Sequence, residues 1–226
     1  YGQTGNEPGS SYISLQRFGP AGNFYYNGAY TSSYGPTSNA NPDLAWEIAT
    51  HLNVGVDFAV LNSKLFGSVE YFTRETKDQL LSVNVPVPPN LVGQTVLNIG
   101  TTKNTGIEAN VNFNAVDNGN FSWTTGVVFG TNTSELVSWT KDDLSFSGGV
   151  LYRASMGSPG QSDVSLVRVV EGETLGQIWG PRFEGIASNG TFQFADLNGD
   201  GTYCDCDDDR EVIGNGLPDF TLGWSN

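Results

Sequence analysis

The sequence is poor in positive charge: its 226 residues include 10 Lys and Arg against 24 Asp and Glu, and 1 His. The formal net charge at pH 7 is −14. Nucleic-acid binding depends on clustered Lys and Arg side chains that neutralise phosphates, so this composition argues against a nucleic-acid partner. An acidic balance of this kind is more typical of proteins that stay soluble through charge or bind cations.

Long apolar runs are missing as well. No stretch approaches the roughly 20 apolar residues that a membrane-spanning helix needs, which excludes helical spans. A β-barrel is not excluded, because its strands give a much weaker sequence signal per segment than a membrane helix does. The sequence has no charged-then-apolar leader, begins at Tyr1 without Met, and ends at Asn226 within an alternating pattern. We therefore expect an internal fragment of a longer protein.

What the sequence does have is regular alternation of apolar and polar side chains. From Trp46 to Val60 the even positions are apolar apart from Thr50, whereas the odd positions are small or polar. Alternation with a period of two predicts a β-strand with one apolar face. The run is much longer than an average strand of a globular protein, which has about five or six residues.

Further runs alternate in the same way. They cover residues 64–78, 103–114 and 120–132, and another begins at Phe220. Val128 is the exception, because it is apolar and lies on the polar face of its run. No stretch of comparable length has the period of a helix, so the sequence predicts an all-β chain.

The connections between these runs alternate between short and long. Residues 61–63 and 116–119 predict tight turns, the second through an Asn-Gly pair that is typical of hairpins. Residues 79–102 and 133–163 predict long loops. Long strands joined by turns on one side and loops on the other are typical of an outer-membrane β-barrel. A soluble antiparallel sandwich is the alternative, since its strands also alternate.

Short motifs along the chain resemble one family. The segment Asn41-Pro42-Asp43-Leu44-Ala45-Trp46-Glu47 is similar to the start of a strand in SusC/RagA-type TonB-dependent transporters, the large outer-membrane barrels of Bacteroidota. Four more segments match in the same order: Tyr1-Gly2-Gln3-Thr4-Gly5-Asn6, Asn98-Ile99-Gly100 with Asn104-Thr105-Gly106-Ile107-Glu108, Asp196-Leu197-Asn198-Gly199-Asp200-Gly201, and Asp209-Arg210 through Pro218-Asp219-Phe220. The insert around Cys204 and Cys206 departs from the family pattern.

The resemblance implies an all-β fold that is a segment of a large antiparallel transmembrane β-barrel of about 22 strands with long extracellular loops. Residues 1–226 would form part of one barrel domain, with the plug domain and remaining strands outside this chain. The implied function is import of oligosaccharides or oligopeptides across the outer membrane, driven through TonB and assisted by a SusD-like surface lipoprotein. Residues 164–187 would add one more barrel hairpin, and residues 188–217 would lie outside the cell.

An aspartate-rich segment fits the spacing of a Ca²⁺-binding loop. Oxygen atoms at alternating positions converge on a cation where a glycine, here Gly201, makes a sharp turn. The candidate ligands are Asp196, Asn198, Asp200, Thr202 through its carbonyl, and Asp207. The last position is Asp and no helices flank the segment, so we expect a structural Ca²⁺ that orders the loop. A solvated acidic turn is the alternative.

Other candidate chemistry is sparse. Cys204 and Cys206 lack the spacing of a zinc CxxC pair. From the sequence they are either joined in a local disulfide or present as free thiols. His51 lies on the polar face of a predicted strand, where a hydrogen-bonding role is expected, so we predict no enzyme activity. A secreted, Ca²⁺-stabilised all-β module that binds glycans is the alternative function.

Aromatic side chains are the candidates for contact with a substrate or partner. Tyr25, Tyr26 and Tyr30 fall in a predicted loop, where they could stack on sugar rings or contact a lid protein. Packing within the loop or at the membrane interface is the alternative. Residues 79–97 are unusually apolar for a loop, which indicates packing against a partner or another loop.

Overall fold

The structure is a computed structural model that describes residues 1–6, 9, 11–139, 149–156, 164–204 and 206–226. The regular elements of these residues are strands, apart from 3-10 turns such as the one at Asp207–Asp209. Among them, no helix is long and apolar enough to cross a membrane. The all-β prediction is confirmed.

Strands follow one another along the whole described chain. The first ones are β1 (Gly2–Asn6), β2 (Phe18–Tyr26), β3 (Ala29–Pro36), β4 (Glu47–Val60), β5 (Leu65–Lys77), β6 (Leu80–Asn84), β7 (Gln94–Asn98) and β8 (Thr101–Asp117). They are followed by β9 (Ser122–Gly130), β10 (Thr133–Ser138), β11 (Val150–Met156), β12 (Val164–Val170), β13 (Gln177–Gly180), β14 (Phe183–Ile186), β15 (Phe192–Phe194), β16 (Glu211–Asn215) and β17 (Thr221–Ser225).

The longest strands lie side by side in one sheet. Its order is β1-β4-β5-β8-β9-β17, and β10 also pairs with β8. The pairings of β1 with β4, β8 with β9 and β9 with β17 are antiparallel. The runs that alternation predicted correspond to β4, β5, β8, β9 and β17, so these strand predictions are confirmed.

Two tight turns join neighbouring long strands, as predicted. Between β4 and β5, Leu61, Asn62 and Ser63 all adopt left-handed backbone conformations with φ of 57°, 57° and 61°. Between β8 and β9, the side-chain oxygen of Asn118 accepts hydrogen bonds from the backbone N–H groups of residues 120 and 121. Gly119 has a φ of +80°, a conformation that glycine adopts without steric cost.

The prediction that residues 164–187 add a barrel hairpin is wrong. Strands β12 and β13 do form a hairpin, but they belong to a separate sheet with the order β11-β12-β13-β16. Strand β17 pairs directly with β9, so the excursion between them in sequence, residues 131–220, adds no strand between these two neighbours, although its first strand, β10, pairs with β8. The physical reason is length: β12 has 7 residues and β13 has 4, fewer than the roughly 9–11 of a transmembrane strand.

The segments predicted as loops contain strands of their own. Small hairpins are formed by β2 with β3, β6 with β7, and β14 with β15. Strands β10 and β11 lie within the predicted loop 133–163, of which residues 140–148 and 157–163 are outside the described part of the chain.

The chain divides into two compact units, each taken over its described residues. One comprises Tyr1–Leu52, Thr73–Lys103 and Val137–Ser145, and the other Asn53–Phe72, Asn104–Leu136 and Phe146–Asn226. Within the first, Ala49, Val83 and Ile99 are buried, and within the second, Leu136 and Ala195. On β4, by contrast, Val54 and Val56 are 59% and 66% exposed. Apolar side chains of the long strands therefore do not pack into a globular core.

Candidate functional site

In the register of β8, β9 and β17, residues of similar polarity lie next to one another. The sheet therefore has two faces of different polarity. One face is apolar, and its rows are Val111 with Val127 and Trp224, and Ala109 with Phe129 and Leu222. The other face is polar or small, and its rows are Asn112 with Gly126 and Ser225, and Glu108 with Gly130 and Thr221. Such a sheet separates an apolar from an aqueous surrounding.

A cavity of about 310 Å³ lies at Glu70 and Glu108 in the second unit, and residues assigned to both faces line it. Its lining residues are Ser68, Glu70, Glu108, Ala109, Asn110, Val128, Phe129, Gly130 and Thr221. Glu70 accepts a hydrogen bond of 2.9 Å from the side-chain amide of Asn53. A Cβ atom at Gly55 would lie 2.8 Å from Cγ of Glu70, so this glycine makes room for the carboxylate. The cavity thus offers hydrogen-bonding groups and negative charge.

His51 shares the polar side of β4 and is exposed, as its sequence pattern predicted. It stands opposite Gly2 in the antiparallel pairing of β1 with β4.

The aspartate-rich loop is folded around the carboxylate of Asp196. Its Oδ1 accepts hydrogen bonds from the backbone N–H groups of Gly199 and Asp200 at 2.7 and 3.2 Å. Its Oδ2 accepts one from Gly201 at 2.7 Å. Gly199 and Gly201 have φ values of +75° and +92°, so the loop needs glycine at both positions.

Asn198, Asp200 and Thr202 continue this turn. The side-chain oxygen of Asn198 accepts a hydrogen bond from the N–H of Asp200 at 2.8 Å. The carboxylate of Asp200 accepts hydrogen bonds from the N–H and hydroxyl of Thr202 at 2.9 and 3.1 Å. The Thr202 N–H, followed by the Asn198 amide and the Thr202 hydroxyl, lowers the pKa of Asp200. Four of the five candidate ligands therefore lie in one turn.

Asp207, the fifth candidate, lies elsewhere. Its carboxylate accepts hydrogen bonds from the hydroxyl of Tyr152 at 3.2 Å and from the indole N–H of Trp179 at 3.3 Å. Partial burial, followed by the negative charge of Asp207, raises the pKa of Tyr152. Asp207 thus attaches its 3-10 turn to strands β11 and β13.

Asp209 is the residue that the spacing argument missed. Its side chain has no exposed surface. Its Oδ1 accepts hydrogen bonds from the N–H groups of Leu197 and Asn198 at 2.9 and 3.3 Å, and its Oδ2 accepts one from Cys204 at 2.7 Å. The bond from Cys204 is the largest cause that lowers the pKa of Asp209, against the opposing effect of burial. The Asp209-Arg210 pair in the family motif was the sequence signal for this residue.

Cys204 and Cys206 form a disulfide, which decides between the two alternatives left open by the sequence. Together with Asp209 they form a group of potential metal-binding side chains whose ligand atoms lie within 4.8 Å of one another. The group does not fit a metal ion, because its sulfur atoms are bonded to each other and offer no thiolate.

Tyr25, Tyr26 and Tyr30 lie on the hairpin of β2 and β3 and are 66%, 69% and 79% exposed. Tyr25 stands opposite Tyr30 in the register, and their ring centroids are 5.4 Å apart in an edge-on arrangement. Tyr26 lies on the other face of β2, next to Phe24 at 6.3 Å. The structure thus pairs two of these tyrosines and separates the third from them.

The apolar segment 79–97 forms the hairpin of β6 and β7, which neighbouring asparagines hold by their side chains. Buried Asn39 donates to the carbonyls of Val92 and Gln94 at 2.8 and 3.0 Å and accepts from the N–H groups of Leu91 and Val92 at 2.9 and 3.1 Å. Asn39 therefore fixes the backbone of this hairpin at residues 91–94.

Asn98 makes a second connection, at the base of the same hairpin. Its amide N–H₂ donates to the carbonyls of Ala45 and Asp78, both at 2.8 Å, and its oxygen accepts from the N–H of Ala45 at 2.8 Å. Ala45 precedes β4 and Asp78 follows β5. One side chain thus joins the ends of two long strands.

Long antiparallel strands, tight turns on one side and two faces of opposite polarity define the wall of a transmembrane β-barrel. The model of the family described as TonB dependent receptor-like, beta-barrel matches residues 4–222. The chain belongs to this family. The resemblance seen in the sequence motifs is thereby confirmed, and the sandwich alternative does not hold.

Individual relatives agree with this assignment. TonB-dependent receptor P3 of Formosa agariphila is 30% identical over 249 residues, covering 100% of this chain and 23% of that protein. TonB-dependent receptor SusC of Bacteroides thetaiotaomicron is 32% identical over 124 residues, covering 55% of this chain and 12% of that protein. A solved structure of the RagAB peptide transporter covers 98% of this chain and 23% of that chain, with a TM-score of 0.71 and 19% identity, which shows the shared fold.

The two curated relatives are named as receptors, and the solved structure is named as a peptide transporter. The chain spans about a quarter of the length of the curated relatives that it matches from end to end.

Proposed function

We propose that this chain is part of the wall and of the extracellular loops of one outer-membrane barrel domain that imports nutrients with energy from TonB. The observation that carries the proposal is the alignment of polarity across β8, β9 and β17, with Val127 among apolar partners and Asn112 among polar or small ones. One face suits outer-membrane lipid, and the other suits a water-filled lumen that solutes cross.

The direction of the strands follows from this proposal. With the turns at 61–63 and 118–121 on the periplasmic side, β4 and β8 run inward, and β5 and β9 run outward. The excursion 131–220 and the hairpins β2–β3 and β6–β7 then face the extracellular side. These segments connect the strand ends on the side of the sheet away from the two tight turns, which supports their assignment to the opposite side of the membrane.

The substrate is an oligosaccharide or an oligopeptide, and a SusD-like lipoprotein assists at the surface. Similarity to SusC supports this assignment, as does the fold shared with a structure named as a peptide transporter. Tyr25 and Tyr30 offer a pair of exposed aromatic rings for contact with the substrate or the lipoprotein, and Tyr26 offers a ring on the opposite face.

Ca²⁺ is the cation proposed for the aspartate-rich loop. Its support is the oxygen chemistry of Asp196, Asn198, Asp200 and the Thr202 carbonyl, gathered in one turn, while Asp207 would have to leave Tyr152 and Trp179 to join them. Hydrogen exchange of residues 196–204 with Ca²⁺ or with EDTA tests the site. Greater protection with Ca²⁺ supports it, and identical protection contradicts it.

Uptake by cells tests the importer proposal. The gene for the full-length protein is deleted from its host and restored on a plasmid, and uptake of labelled oligosaccharides and of labelled oligopeptides is measured with and without a protonophore. We expect deletion to abolish uptake of one class, complementation to restore it, and the protonophore to remove it again. Unchanged uptake of both classes after deletion would contradict the proposal.

A further inference from the structure

An exposed cluster of aromatic rings lies on the hairpin of β14 and β15. Phe183 is 5.8 Å from Phe192 and 6.3 Å from Phe194 between ring centroids, and Phe194 is 5.0 Å from Tyr203. Phe183 and Phe192 are 56% and 68% exposed. We call these four side chains the aromatic cluster. Grouped apolar side chains with this exposure mark a binding surface more often than isolated ones do.

The rings of the aromatic cluster are tilted steeply against one another. The interplanar angles are 82° between Phe183 and Phe192, 70° between Phe183 and Phe194, and 62° between Phe192 and Phe194. The cluster therefore offers no flat platform on which a sugar ring could lie. Its separate ring faces suit narrow aliphatic stems and ammonium or guanidinium groups, which are attracted to the negative face of an aromatic ring.

The chain segment that carries the aromatic cluster is acidic. From residue 183 to residue 209 the sequence contains no Lys, Arg or His, but it contains Glu184, Asp196, Asp200, Asp205, Asp207, Asp208 and Asp209. Arg182, which precedes this segment, forms ion pairs with Glu184 at 3.8 Å and Glu211 at 3.1 Å. Its charge is therefore already offset.

The acidic loop begins and ends at the aromatic cluster. The chain leaves it at Phe194 and returns at Tyr203, whose ring is tilted by 38° against that of Phe194. The residues between them include exposed Asp196 and Asp200. Carboxylates thus lie at the edge of an apolar surface, an arrangement complementary to a side chain with an aliphatic stem and a cationic end.

We infer that the aromatic cluster and the acidic loop bind a peptide segment that carries Lys or Arg side chains. The aliphatic stems lie against Phe183 and Phe192, and the cationic ends reach the ring faces and, in the loop without Ca²⁺, the carboxylate of Asp200. The inference rests on the proposed function only in placing this loop on the extracellular side. Binding itself needs neither TonB nor transport.

The test uses the purified full-length receptor in detergent and titration calorimetry. The probe is acetyl-Ala-Lys-Ala-Lys-Ala-Lys-amide, and its counterpart has Glu in place of each Lys. We expect the Lys peptide to bind, the Glu peptide not to bind, and added NaCl to weaken binding. Phe183→Ala combined with Phe192→Ala should raise the Kd about tenfold, and Asp200→Asn about two- to threefold.

Two further variants separate recognition from folding. Phe18→Ala is the matched control, because Phe18 is 63% exposed on a hairpin whose residues 18–36 carry no charge, and it should bind like the wild type. Phe183→Leu with Phe192→Leu keeps apolar surface but removes the rings, so its Kd should lie between those of the wild type and the alanine variant. Equal binding of both peptides, or equal Kd values for Phe18→Ala and the alanine double variant, overturns the inference.

Uptake by cells distinguishes the failure of this inference from that of the proposed function. Receptor that binds the Lys peptide but supports no uptake of any substrate contradicts the importer proposal alone. Receptor that supports uptake but does not bind the Lys peptide contradicts the peptide site alone.

Discussion

The buried carboxylate of Asp209 accepts a 2.7 Å hydrogen bond from the backbone N–H of Cys204, five residues earlier in the chain. It also accepts N–H groups from Leu197 and Asn198, so one side chain holds both ends of the acidic loop. Asp209→Asn replaces one acceptor oxygen by an N–H₂ group that faces these donors. We expect faster hydrogen exchange of residues 197–204, whereas Asp208→Asn, an exposed neighbour, should leave exchange unchanged. Equal effects of the two substitutions would contradict this role of Asp209.

Protonation of Asp209 should loosen the same loop. The N–H of Cys204 above all, and those of Leu197 and Asn198, lower its pKa in the folded protein below the usual 3.8. A lowered folded pKa means that the stabilisation is fully present above the unfolded value and is lost as the pH falls through the folded value. We expect loop protection factors to be constant from about pH 7 to about pH 5 and to fall below about pH 4. Asp209→Asn should weaken this acid dependence and leave the part that comes from Asp200, whose pKa is also lowered. An equal dependence in that variant would mean that Asp209 does not cause it.

Adjacent valines on β9 should respond in opposite ways to a positive charge. Val127 stands among apolar partners, whereas Val128 stands opposite Asn110 and Gly223 on the polar face. Val127→Arg should lower the free energy of unfolding by about 2–4 kcal/mol, because a charge on the lipid face is costly. Val128→Arg should change it by at most about 0.5–1 kcal/mol. Urea unfolding of the full-length receptor in lipid vesicles measures both, and equal losses would mean that Val127 does not face lipid.

Removal of the Asn39 side chain should destabilise the β6–β7 hairpin. Asn39→Ala leaves the N–H groups of Leu91 and Val92 without their acceptor in a part-buried setting. The free energy of local opening should fall by about 1–3 kcal/mol, measured by hydrogen exchange at these two amides. Asn84→Ala is the control, since Asn84 is exposed and bonds only the side chain of Gln94 among the interactions described for it. It should change the opening free energy by no more than about 0.5 kcal/mol.

The alternation of apolar and polar residues predicted the long strands, because the two faces of a barrel wall lie in environments of different polarity. The predicted run from Trp46 to Val60 and the observed β4, Glu47–Val60, differ by one residue. The same logic failed for residues 164–187, where the sequence forms short strands with no lipid face to maintain. The hairpins inside the long loops also escaped prediction, because their pairing depends on local turns and on distant side chains such as Asn39.

Sequence spacing predicted the acidic turn but did not indicate the buried carboxylate that holds the two ends of this turn. The fixed spacing of a Ca²⁺-loop template points to Asp207, whereas the buried carboxylate in the structure is that of Asp209, two residues later. Burial depends on the path of the chain through Cys204 and Cys206, and the template contains no such insert. The cluster of Phe183, Phe192 and Phe194 was equally hidden, because β14 and β15 bring its members together only when they pair.

The three hydrogen bonds of Asn98 have a mechanical consequence. The Asn98 amide links the base of the β6–β7 hairpin to Ala45 and Asp78, which adjoin the ends of β4 and β5. A displacement of the hairpin base therefore also displaces the start of β4, to which the hairpin has no direct covalent connection.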